Sequence, residues 1–152
     1  MRHALTRTAA FLAGLSVVAP AVIAPATAAT AAAPQRVAVS FTDQQRLGAT
    51  SGRVTSTVPG CRSATSVIVR AHYEFTNKTS RVVEVRGFRC ADGVSGFVVR
   101  LNAQFDNAGS QGRWSIVRSY GVVAGLHGTG TLTGSPSSTG FADHFTGTVI
   151  WS

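Results

Sequence analysis

The sequence predicts an all-β protein, a single antiparallel β-barrel of about eight strands, with a β-sandwich as the alternative. Three observations point there. Apolar and polar residues alternate with period two over long segments, most plainly from Phe97 to Asp106. Short polar turns join those segments, with scarcely any helical periodicity between them. Late in the chain, glycines fall at the positions that face inward, where a barrel wall must curl. Long, two-faced strands in up-and-down succession favour closure over an open edge. An immunoglobulin sandwich would place its tryptophan between the cysteines, whereas Trp114 follows both Cys61 and Cys90.

The chain opens with the three parts of an export signal. Arg2, His3 and Arg7 supply positive charge, and an uncharged run from Ala9 to Ile23 carries Phe11, Leu12, Leu15, Val17, Val18, Val22 and Ile23. Small-residue cleavage patterns follow at Ala26-Thr27-Ala28 and Ala29-Thr30-Ala31, so cleavage is expected near Ala28, with Ala31 as the alternative. Pro20 and Pro25 break a stretch that would otherwise approach the length of a membrane span. The reading is a secreted protein that is not an integral membrane protein, with a signal peptide at 1–28, a flexible tail at 29–35 and a barrel domain at 36–152.

In that domain Val37, Val39 and Phe41 alternate as a first strand, and Thr42 followed by Gln45 resembles a capping box that would start one helical turn. Val67, Val69, Ala71, Tyr73 and Phe75 form one face of the next strand, with Arg70, His72 and Glu74 on the other. Asn77-Lys78-Thr79 is a turn. Val83 and Val85 then oppose Glu84 and Arg86, and Gly87 is expected to bulge, because Phe88 and Cys90 continue the apolar set out of step. After an Ala91-Asp92-Gly93 turn comes the long strand ending at Asp106. Another follows with Trp114, Ile116 and Tyr120 aligned. The glycine- and threonine-rich stretch 125–133, a polar loop at 134–140 and a last strand from Phe145 to Trp151 complete the plan.

Of the 14 basic side chains, 12 remain once Arg2 and Arg7 are removed, against 6 acids, and only Lys78 is a lysine. Such a surface suits an anionic partner, for example an anionic wall polymer. The arginines alternate with apolar residues and form no consecutive tract, so they read as solvated strand faces, and specific nucleic-acid binding is not expected. Two cysteines in an exported chain are most simply paired as Cys61–Cys90.

Ionisable residues are few. His72 and Glu74 lie two apart on one strand and would share a face, as a proton-transfer pair or as solvated surface. His127 stands at the mouth of the glycine-rich segment, and Tyr120 closes the strand before it. These four are the candidate ligand-binding residues; catalytic residues stay unassigned, and no metal site or cofactor is expected. There is no Walker loop, HExxH or Gly-x-Ser-x-Gly elbow.

Four segments carry a resemblance: Cys90-Ala91-Asp92-Gly93 with Gly96-Phe97; Gly112-Arg113-Trp114; Leu126-His127-Gly128-Thr129-Gly130; and Asp143-His144-Phe145-Thr146-Gly147. Together they resemble a family of small secreted bacterial proteins of actinobacterial type. Similar glycine-rich late strands occur in the allene oxide cyclase and dirigent group, so the resemblance implies an eight-stranded barrel. Where that family shows Gly-Thr-Gly-x-Tyr, this chain reads Ser119-Tyr120-Gly121-Val122-Val123. The expectation is a non-catalytic secreted barrel that binds a small apolar ligand or an anionic surface. The alternatives are an allene oxide cyclase-like isomerase or cyclase and an extracellular structural or inhibitory protein.

Overall fold

The computed structural model describes residues 34–76 and 80–152. The expected signal peptide, most of the tail and the Asn77-Lys78-Thr79 turn lie outside the described residues. Eight antiparallel strands, β1 (Val37–Arg46), β2 (Ser51–Ser56), β3 (Ser63–Phe75), β4 (Ser80–Cys90), β5 (Gly96–Asp106), β6 (Gly109–Tyr120), β7 (Leu126–Ser137) and β8 (Gly140–Trp151), pair in sequence order. β1 closes the barrel on β8, in register from Val37 opposite Val149 to Arg46 opposite Gly140. Closure leaves no open sheet edge among the described residues, which removes the usual template for aggregation.

One end of the barrel is stoppered. The β2–β3 connection brings in Val58 and Cys61, and a short 3-10 turn at Gly121–Val123 brings in Val123, all essentially without solvent contact. The Cys61–Cys90 disulfide ties the first of these connections to the end of β4 across a Cα separation of 5.2 Å. Asp92 holds the β4–β5 turn beside it by accepting hydrogen bonds from the backbone of Val94 (3.1 Å) and Ser95 (2.9 Å). Hydrogen bonding to Ser95 pulls the Asp92 carboxyl below its ordinary range.

The middle is filled with rings. Phe41 stacks on Phe145 at 4.4 Å and meets Phe88, Phe97 and Trp114 edge-on at 5.2, 5.8 and 5.3 Å. Trp114 lies across Gly130 and Gly147, where an added Cβ would come within 2.7 Å of the indole. The inward glycines of β7 and β8 are therefore a slot for this ring, and its Nε1 donates to the Thr131 and Thr146 carbonyls at 3.0 and 3.2 Å.

Several local expectations are corrected, all because pairing partners set the register. The helical turn at Thr42–Gln45 is strand, since β2 and β8 flank β1 through Gln45. β2 is a strand that the pattern of the chain does not announce, having Val54 as its one large apolar side chain. The bulge is in β3 rather than at Gly87: pairing with β4 skips from Ile68 to Arg70, leaving Val69 unpaired. That extra residue turns Val67 and Val69 outward while Ala71 packs against the core. A second skip, at Val117 in β6, takes Tyr120 off the face of Trp114 and Ile116. The polar loop at 134–140 is mostly strand, because β7 runs on to Ser137 and β8 resumes at Gly140.

Candidate functional site

β3 and β4 are locally inside out. Without a bulge at Gly87, β4 keeps one parity, and Val82, Glu84, Arg86, Phe88 and Cys90 all point inward. The valines between them, Val83 and Val85, face the outer wall beside Val67 and Val69, which are 47% and 65% exposed. Ser66, Glu84 and Arg86 are buried in their stead. Isolated charges cannot be carried into such an interior without partners, so the strand pair depends on what the opposite wall supplies.

It supplies carboxylates. Arg86 Nη1 donates to Asp43 of β1 at 2.9 Å and to Asp143 of β8 at 2.8 Å, while its Nε donates to Glu84. Asp43, with no solvent contact, also accepts from Ser66 Oγ at 2.8 Å and from Gln45 Nε2 at 3.2 Å. The guanidinium carbon sits 5.9 Å from the Phe145 ring centre, so the cluster rests on the aromatic core. Gly134 makes room for Asp143: a Cβ there would strike the Asp143 carboxylate and the Ser110 hydroxyl.

Three carboxylates share one guanidinium. Burial pushes the Asp43 carboxyl above its ordinary value, with Arg86, Ser66 and Gln45 opposing that shift. Burial also works against the charge on Arg86, but its bond to Glu84 and the surrounding carboxylates outweigh it and hold the proton more firmly than usual. Asp43 is the deepest of the three carboxylates. The Tyr73 hydroxyl is pushed up by burial and by the Glu84 charge. Tyr73, Phe75 and Phe105 form a lip at the unstoppered end, with ring centres 6.1 to 6.2 Å apart.

Folding half of the acids inward changes the outer surface. The ten other arginines among the described residues are all exposed, against Glu74, Asp92 and Asp106. Across the outer wall Arg53 pairs with Thr65 and Thr65 with Arg89, flanking an open groove of about 370 Å³. Arg100, Asn102 and Arg113 line another, of about 600 Å³, with Ser115, Thr129 and Thr131.

The chain shows no significant match to any protein-family model, curated protein or solved structure.

The residues singled out from the sequence lie on or near the surface and apart from the cluster. His72 Nε2 stands 3.7 Å from Glu74 Oε1, on side chains 73% and 61% exposed. His127 Nε2 bonds to Ser152 Oγ at 3.1 Å. Tyr120 covers Gly96, where a Cβ would come 2.6 Å from its hydroxyl. His144 faces out to Thr42 Oγ1 at 3.0 Å while its neighbour Asp143 faces in. The sequence reading missed Asp43, Ser66, Glu84, Arg86 and Asp143 as a group. The available signal was the shared parity of Val82, Phe88 and Cys90, which places Glu84 and Arg86 inside once no bulge is assumed.

Proposed function

We propose that this protein is a secreted, non-catalytic barrel that binds an anionic extracellular partner through its arginine-bearing outer wall. The observation that carries this reading is the segregation of charge. Asp43, Glu84 and Asp143 are spent inside on Arg86, and the remaining ten described arginines are exposed. The outward-facing side chains thus carry a larger positive excess than the described residues taken together. An anionic wall polymer of phosphodiester or carboxylate character fits this field.

The test is titration of the secreted protein with long-chain polyphosphate at two salt concentrations. Binding that weakens by orders of magnitude between about 50 and 200 mM salt, in the manner of counterion release, supports the reading. Absence of binding at the lower salt overturns it.

The aromatic lip favours a second reading, a small apolar ligand held at the open end above Glu84 and Arg86. Tyr73 and Phe75 are 47% and 73% exposed there. Native mass spectrometry of protein purified without denaturation, searching for a co-purifying small molecule, tests it. An allene oxide cyclase-like reaction would be a variant of this second reading, with the buried cluster as its polar group.

A further inference from the structure

Resting on the anionic-partner reading, we infer that the outer wall of β3–β5 docks on an anionic lipid surface. The inversion of β3 and β4 puts valines where a soluble barrel would carry polar side chains. Val67 and Val69 are both exposed, and Val69 is the bulged residue itself, displaced from the ladder over Gly87. Register extends the patch sideways, since Val67 pairs with Gly87 and Gly87 with Val98. Contiguous exposed apolar surface of this kind marks an interaction site.

The flanks say what kind of surface meets it. Val85 stands between Arg70 on β3 and Arg100 on β5, and Val98 pairs with Arg118 on β6. All three arginines are exposed. A second copy of this wall would set arginine against arginine. A soluble polyanion would answer the charge but leave the valines in water. An anionic lipid surface answers both: the arginine heads meet lipid phosphates while their stems and the valines enter the headgroup boundary.

The experiment compares sedimentation of the secreted protein with vesicles of equimolar phosphatidylglycerol and phosphatidylcholine, with vesicles of phosphatidylcholine alone, and with polyphosphate, all at about 0.1 M salt. The variants are Val67→Ser/Val69→Ser and Val67→Leu/Val69→Leu, each checked for native near-ultraviolet dichroism. Expected are binding to the anionic vesicles only, a loss of roughly tenfold in the serine variant and a gain in the leucine variant, with polyphosphate binding unchanged in both. Polyphosphate binding without vesicle binding, or vesicle binding indifferent to both valine variants, overturns lipid docking and leaves the anionic-partner reading standing. Failure to bind polyphosphate and vesicles alike overturns both.

Discussion

Arg86 and Asp43 are 43 residues apart in sequence and 2.9 Å apart inside the barrel. Their ion pair joins β4 to β1 across the interior, and the same guanidinium nitrogen reaches Asp143 on β8. Removing the cation leaves three carboxylates facing one another in a largely buried site. Arg86→Met is therefore expected to destabilise the fold by about 3–5 kcal/mol at neutral pH, the usual penalty for an orphaned buried charge. Urea unfolding measures it. The deficit should shrink as the pH is lowered towards 3.8, the ordinary value for such a carboxyl, because the Asp43 carboxyl takes up its proton above that value. An unchanged unfolding free energy at neutral pH would refute the ion-pair account.

Asp43 itself gives stability a pH dependence of definite sign. Its folded carboxyl holds a proton more tightly than the unfolded one, so its contribution is complete below pH 3.8 and is lost as pH rises through the folded value. The amide introduced by Asp43→Asn cannot ionise. The stability of the wild type relative to this variant should accordingly fall as the pH is raised from 3.8 towards neutrality. Denaturant curves for both proteins across that range decide the matter, and a constant difference between them would count against a raised pKa.

The slot for Trp114 is tight enough to test with a single methyl. At Gly147 an added Cβ meets the Thr129 carbonyl and lies 2.7 Å from the indole. Gly147→Ala should cost about 1–3 kcal/mol, as overpacking does. Because Trp114 is 2% exposed, a red shift in emission should accompany any displacement of the ring. Thermal melts and fluorescence together report whether the ring or the strand gives way.

The disulfide should matter thermodynamically. Replacing both Cys61 and Cys90 by alanine opens a loop spanning 29 positions, which on the chain-entropy model loses about 3–4 kcal/mol. Equilibrium unfolding of the double variant measures this. A loss well below about 1 kcal/mol would mean that Val58 and Val123 hold the stoppered end without the covalent tie.

Sequence alone was enough for the fold class and for the wall of β5, whose residues Phe97, Val99, Leu101, Ala103 and Phe105 face inward as alternation requires. It also paired the cysteines and marked the inward glycines of the late strands. These features are local: period two, turn residues and composition act over a few positions. The site was not legible in the same way. A charged residue read alone is assigned to solvent, and Glu84 and Arg86 become interior residues only when Asp43 and Asp143 arrive from other strands to meet them. The single extra residue at Val69 then decides which valines face water. Strand parity is fixed by hydrogen-bonded neighbours distant in sequence, and a shift of one residue exchanges every side chain between core and surface. Tertiary pairing thus decided both the buried cluster and the valine-and-arginine wall outside it.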